Sequence, residues 1–410
     1  MISIRSQLIK DSTKPVVAVI TPGSLPVPAV LGGGIQTVVY EYAIPNKEQN
    51  IIIVSALDGG LPAFELDKQG IGHIRIRNRS YDNIEIVWRN EYLIRYNRYI
   101  YKACKILKEL DADLVHIHNR PHFVPIVRKL LGPKVKIVLT NHNLKIAEEK
   151  YVLKRLPKIM QAVDKVVYPS KKVAELDLLK DNPTYKEKVE VIYNGVDENV
   201  FKKASSEQIE QIREKYKISS KKVLLFVGRL VLEKGVDTLL SALPEIVSKD
   251  PEVSLVIVGS SFFGKGQKTP YVKKLIELAQ PVKDNVIFTG FIDIEDLPVI
   301  YSLATVFVSP VDWDDPSPKT IYEAAACETA IVSSNRGGIP EIVINNESAL
   351  LLDTPFTKIK LAQILLAILK DDKKRDDLIK NAKQRILSNF TCNIIGQKWA
   401  ALYKDILEKN

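Results

Sequence analysis

Residues 306–326 read VFVSPVDWDDPSPKTIYEAAA, and this stretch decides the fold. Val306–Ser309 is a short β-branched run stopped by Pro310, as a buried strand would be. A polar loop follows, and then an alanine-rich run that favours helix. Asp315 lies in the loop. Glu323, with seven residues between the two, falls in the first turn or so of the helix. Open α/β sheets bind ligands beyond the carboxyl ends of their strands. Two acceptor groups beside a helix N-terminus suit a polyhydroxyl ligand that also carries phosphate. The plainer reading is that acidic residues in a first turn answer the helix macrodipole.

The same pattern stands upstream. Lys222–Gly228 reads KVLLFVG, a buried-strand run. Arg229–Gly235 reads RLVLEKG, and a helical pattern begins at Val236. Arg229 and Lys234 therefore sit on a strand-to-helix loop flanked by Gly228 and Gly235. An arginine can clamp two phosphate oxygens and a lysine adds a point charge; the glycines allow close backbone approach. Taken singly, either cation reads equally well as a solvated loop charge.

Strand-like runs recur along the whole chain. In the first half they are Pro15–Ile20, Ile51–Ser55, His73–Arg77, Glu85–Trp88, Leu114–Ile117, Val135–Thr140, Lys165–Tyr168 and Val189–Tyr193. In the second half they are Val223–Val227, Ser254–Val258, Val286–Thr289, Val306–Ser309, Ala330–Ser333 and Ala349–Leu352. Many are unbroken in Val and Ile, as strands buried on both faces of a parallel sheet are. Two successive sets imply two doubly wound α/β domains, and 410 residues suffice for two cores. A strand followed by Asn194-Gly195-Val196-Asp197 marks the boundary. The expected division is 1–196 and 197–390, with a last helix at about 391–410. Trp399, Leu402, Tyr403 and Ile406 give that helix one apolar face.

Further candidates lie at strand exits. Gly32, Gly33 and Gly34 follow the first strand without the G-x-G-x-x-G spacing, which disfavours a dinucleotide. Their amides can still face a diphosphate at a helix start. His116 and His118 share a face of one strand at period two, with His118 at its exit, facing the expected cleft. His142 ends the next strand. No third metal ligand stands near them in sequence, and no metal is expected. Arg336-Gly337-Gly338-Ile339-Pro340-Glu341 forms another strand-to-helix loop, in which Glu341 reads as a helix N-terminal charge. The Tyr- and Arg-rich Tyr92–Lys102 and the Lys-rich Lys145–Lys158 read as amphipathic core helices, with an anionic-lipid or sugar-binding surface as the alternative.

Bulk properties narrow the function. No apolar run approaches the about 20 residues of a membrane span, and Met1–Leu8 is too mixed for a secretory segment. Cys104, Cys327 and Cys392 are scattered, which points to a reducing cytoplasm. A net charge of +10 fits nucleic acid, anionic lipid or phosphate-bearing substrates. The basic residues are dispersed and no nucleic-acid motif is present, so nucleic acid is not an expected partner.

Taken in order, GRLVLEKG (228–235), VIVGS (256–260), VIFTGFIDIEDLPVIYSLATVFVSP (286–310), the spaced acids and IVSSNRGGIPEIV (331–343) resemble the retaining GT-B glycosyltransferases of family four. The resemblance covers nearly the whole chain, is strongest over 220–345, and leans toward the spore-coat and cell-surface polysaccharide branch. It implies two Rossmann-like domains facing a cleft, with the last helix packed back on the first and domain closure excluding water. It implies a retaining, metal-independent transferase that needs no cofactor. Its donor would be a nucleotide sugar, a UDP-sugar first. Its hydroxyl acceptor would belong to a surface polysaccharide, glycolipid or coat glycan. It implies a cytoplasmic protein with transient contact at the inner membrane face.

Residue by residue, the resemblance sets Arg229 and Lys234 on the leaving phosphates. Gly33, Gly34, Gly228, Lys319 and Thr320 would bind the donor, Asp315 the sugar hydroxyls and Glu323 the ribose, with His118 beside the reacting carbon. Three positions depart from the family pattern: Asp315 where Glu is usual, and Pro318 and Glu328 where Gly is usual. The rival readings are a non-catalytic scaffold or coat protein of the same fold, and a sugar phosphorylase.

Overall fold

The computed structural model describes residues 4–77, 89–143, 146, 150–260 and 269–409. The strand expected over Glu85–Trp88, the side chains of residues 92–97 and part of Lys145–Lys158 lie outside them. The chain divides into two compact units. One comprises Met1–Asn194 with Cys392–Asn410, and the other Gly195–Thr391.

The first unit is built on eight strands. They are β1 (Val16–Ile20), β2 (Asn50–Ala56), β3 (Phe64–Leu66), β4 (Gly72–Ile76), β5 (Leu114–His118), β6 (Lys136–Thr140), β7 (Lys165–Tyr168) and β8 (Val189–Val191). Their order is β3-β4-β2-β1-β5-β6-β7-β8. Every neighbouring pair is parallel except β3 with β4. Residues Val16–Ile20 and Ile52–Val54 have essentially no exposed surface, because helices cover both faces of such a sheet. β3 was not expected from the sequence. Three residues are too few to show a period, and its Phe64 and Leu66 stay exposed at the sheet edge. The Tyr- and Arg-rich segment enters the helix Arg89–Glu109, whose Tyr99, Ile100, Ala103, Cys104 and Leu107 are buried in the core.

The second unit has six strands, all parallel: β9 (Lys222–Val227), β10 (Val253–Val258), β11 (Val286–Gly290), β12 (Val306–Ser309), β13 (Ala330–Ser334) and β14 (Leu350–Leu352). Their order is β11-β10-β9-β12-β13-β14. The chain winds outward from β9 through β11, then crosses back and winds the other way from β12. The reversal falls between β9 and β12, the kind of switch point at which open α/β sheets bind ligands. β1 and β5 stand in the same relation in the first unit.

The helix Val236–Lys249 shows why the pattern folds this way. Val236, Leu239, Leu240, Leu243 and Ile246 form one buried stripe, each contributing about 1.5–3 kcal/mol by leaving water. The last helix, Cys392–Glu408, buries Ile395, Trp399, Tyr403 and Ile406 in the first unit. Trp399 stacks on Tyr42, ring centroids 4.9 Å apart.

Candidate active site

In the second unit, the loops leaving β9 and β12 meet. The amide of Asp312 donates to the carbonyl of Glu233 at 3.0 Å. Lys234 Nζ bonds Asp315 Oδ2 at 2.5 Å, with Asp315 almost wholly buried. Gly235, at φ 67°, makes this approach possible: a Cβ there would stand 1.9 Å from the carbonyl oxygen of Pro310. From the other side Gly337, at φ 59°, lies against Asp315, where a Cβ would sit 2.4 Å from its carbonyl oxygen. Arg336 pairs with Asp312 at 3.0 Å and Asp314 at 3.3 Å. Two of the three aspartates thus answer Arg336, while Asp315 answers Lys234.

In the same loop as Lys234, Arg229 is exposed and lines a cavity of ≈210 Å³. Gly228, Gly259 and Ser260 border it, with Val227, Val258, Phe291, Ile292 and Leu297. Lys319 and Thr320 open the helix Lys319–Ala326. Glu323 is its fifth residue, in the second turn and not the first, and is 8% exposed. That position weakens the macrodipole explanation, which fades beyond the first turn. Tyr301 donates its hydroxyl to Glu323 Oε2 at 2.9 Å, and burial together with that carboxylate holds the phenol well above its usual range.

The three departures have distinct geometries. Pro318 caps the helix in an extended conformation, and its carbonyl accepts from the Ile321 amide. Glu328 sits at φ 58°, the left-handed region glycine occupies without strain, and pairs with Lys383 at 2.6 Å. Asp315 reaches Lys234 despite its shorter stem.

In the first unit, Gly33 precedes the helix Gly34–Ala43 at the exit of β1. His118, expected at the exit of β5 facing the cleft, is fully buried. Its Nε2 meets the Tyr42 hydroxyl at 2.9 Å and its Nδ1 meets His142 Nε2 at 2.8 Å. The reason is cover: the helix Gly34–Ala43 and the last helix bring Tyr42, Trp399 and Tyr403 over this strand end. His116 is held by Tyr403 at 2.7 Å and Thr140 at 2.6 Å. Burial drives all three histidines toward the neutral form; His116 and His118 lie well below the ordinary range and His142 is pushed down to about 4. Of the three, His142 alone keeps some exposure.

Comparison with known proteins places this geometry. Residues 32–200 match the family described as Glycosyltransferase Family 4, and residues 208–385 match Glycosyl transferases group 1. The chain is a glycosyltransferase, a family 4 domain followed by a group 1 domain. Over 95% of its length, this glycosyltransferase is 29% identical to a putative glycosyltransferase, YtcC, of Bacillus subtilis, spanning 92% of that protein. It is likewise 29% identical to spore coat protein SA of the same organism, across 95% of this chain and 99% of the other. Its fold matches Anabaena Alr3699/HepE, solved with UDP and glucose, at a TM-score of 0.78 and 20% identity, over 95% of this chain and 99% of that one.

Sequence reasoning missed several neighbours of the glycosyltransferase's candidate residues. Tyr301 precedes Glu323 by a helix and a strand, and nothing in their spacing joins them. Tyr42 and Tyr403 come from opposite ends of the chain. Trp313, two residues before Asp315, holds its indole near Lys234, with Nζ 5.6 Å from the ring centre, and its Nε1 is buried without a hydrogen-bond partner. Among the described residues no three His, Cys, Asp or Glu side chains are grouped to hold a metal ion, and no helix is long and apolar enough to cross a membrane.

Proposed function

We propose that this glycosyltransferase is retaining and metal-independent, and that it moves a sugar from a UDP-sugar to a hydroxyl of a surface polysaccharide, glycolipid or coat glycan. The observation that carries the reading is the Lys234–Asp315 pair at the reversal between β9 and β12, with Arg229 of the same loop lining an apolar cavity. The cavity suits a flat nucleobase, held by apolar side chains and the bared backbone at Gly228 and Gly259. Arg229 and Lys234 then meet the diphosphate, Lys319 and Thr320 offer it amides, and Glu323 takes the ribose. Asp315, released from Lys234 as the phosphates arrive, accepts from sugar hydroxyls. Gly33 and Gly34 present backbone to the donor, and His118 acts through His142, holding it in one tautomer. The UDP and glucose held by the Anabaena protein support uridine as the base. The basic charge of the chain suits brief contact with an anionic membrane surface.

In the reaction, the bond from C1 to the phosphate oxygen breaks and a bond from C1 to the acceptor oxygen forms. The acceptor's proton passes to the departing phosphate on the same face, which keeps the configuration. Guanidinium and ammonium groups stabilise the charge developing on the diphosphate.

The test is a thermal-shift series with UDP, GDP and ADP, with and without EDTA. A ligand at a hundredfold its dissociation constant adds about 2.7 kcal/mol. A shift with UDP alone that EDTA leaves unchanged is expected. A shift that chelation removes would contradict metal independence, and a preference for GDP or ADP would overturn the base. Arg229→Ala should lower kcat by about 10²–10³; unchanged turnover would sink its leaving-group role. Resemblance to a spore coat protein gives one second reading, a glycan-binding coat component, and UDP binding without transfer or donor hydrolysis would favour it.

A further inference from the structure

Tyr301 is fully buried, and its one polar atom meets Glu323: the hydroxyl donates to Glu323 Oε2 at 2.9 Å. The packing around the ring fixes where that hydroxyl lies. Phe307 of β12 and Phe201 stand edge-on to it, with ring centroids 5.6 Å and 6.3 Å away. The Tyr301 carbonyl accepts from Thr329 Oγ1 at 2.6 Å, just beyond the helix that carries Glu323. The neighbouring Ser302 accepts from the Ala204 amide at 2.9 Å through its hydroxyl and from Lys203 Nζ at 3.0 Å through its carbonyl. The helix Leu297–Leu303 is thus fastened from two sides and buried from Pro298 onward. Burial and the carboxylate hold the phenol well above its usual range, so Tyr301 remains a donor at any working pH.

Glu323 is built differently. Its carboxylate hangs on a chain of three rotatable bonds, and the residue keeps 8% exposure. A long side chain must be ordered before it can bind, and that ordering subtracts from affinity. A tyrosine turns on two bonds only, and this one is locked by its neighbours. A site group is held accurately when the residue that holds it is itself packed in one rotamer. Buried tyrosines commonly find a partner for the hydroxyl. A bond made for burial alone, however, would be indifferent to what Glu323 binds.

We propose that Tyr301 is a positioning residue for nucleotide recognition: by holding Glu323 Oε2 it presets the carboxylate for the ribose hydroxyls. Part of the preference for a ribonucleotide donor then comes from a side chain that never touches the nucleotide. The inference rests on the reading above that Glu323 takes the ribose, and the experiment separates the two. Full-length protein is titrated calorimetrically with UDP and with 2′,3′-dideoxy-UDP, which lacks both ribose hydroxyls. The readout is the ratio of the two affinities. The unaltered protein should favour UDP by at least about tenfold, and Glu323→Ala should bring the ratio near one. Tyr301→Phe, which removes one oxygen and keeps the ring, should lower the ratio by about threefold to tenfold. It should do so by weakening UDP while the dideoxy nucleotide binds as before, which also shows that the fold is intact. No binding of UDP, an initial ratio near one, or a ratio that Glu323→Ala leaves unchanged would overturn the ribose reading and the proposal with it. A ratio that Glu323→Ala collapses and Tyr301→Phe leaves alone would overturn the proposal only. Equal weakening of both nucleotides by Tyr301→Phe would do the same, because it marks a bond that serves the fold and not the ribose.

Discussion

Glu328 shows how one residue records a compromise. In the left-handed region a side chain costs about 1–2 kcal/mol that glycine avoids. The half-exposed pair with Lys383 returns at most about 1 kcal/mol. Glu328→Ala keeps the strain and loses the pair, whereas Glu328→Gly loses both. The glycine variant should therefore be the more stable of the two by about 1 kcal/mol, measured by urea unfolding; equal midpoints would mean the backbone there relaxes. The sequence shows that glycine is missing at this position, but neither the positive φ nor the partner 55 residues away. Asp315 and Lys234 were legible because each stands in a strand–loop–helix unit whose chemistry is local. Their contact was not, since it depends on β9 and β12 being neighbours. The cover over His118 was not legible for a related reason. Period-two reasoning gives the face of a strand, not what later arrives to cover it.

Elements account for that cover. The last helix brings Trp399 and Tyr403 onto the histidines of β5, and its apolar face was readable from residues 399–406. Its partner was not readable, because a helix face names no neighbour. Trp399, 3% exposed, contacts both Tyr42 and His116. Trp399→Ala should cost about 3–5 kcal/mol and loosen the histidine stack, seen as new exchange-broadened imidazole signals in NMR spectra. A fall of less than about 1 kcal/mol would mean the helix is held elsewhere. The strand runs of Val and Ile were nearly all legible, since burial on both faces leaves no alternation to misread. The exception is β3, three residues at an edge, with too little apolar surface to announce itself.

For the whole molecule, the three neutral histidines link stability to pH. In the unfolded chain each titrates near about 6.5; in the fold each is depressed, His142 to about 4. Stability from this source is complete above about pH 6.5. It is lost as pH falls toward about 4, because only the unfolded chain takes up the protons. Three protons give a slope of up to about 4 kcal/mol per pH unit. Denaturant midpoints at pH 7.5, 6 and 5 should fall in that order, and His142→Gln should remove about a third of the slope. A flat profile would mean the histidines titrate in the fold as they do in the unfolded chain.

The first unit is the only one whose chain is interrupted: its final helix follows after all of the second unit has been made. Synthesis runs from the amino end, and domains generally fold as they emerge. The second unit can therefore close while the first still waits, with Tyr42, His116 and the apolar surface around them uncovered. During that interval the nascent first unit is the aggregation-prone part of the molecule and the natural client for a chaperone. Only the helix Cys392–Glu408 ends the wait.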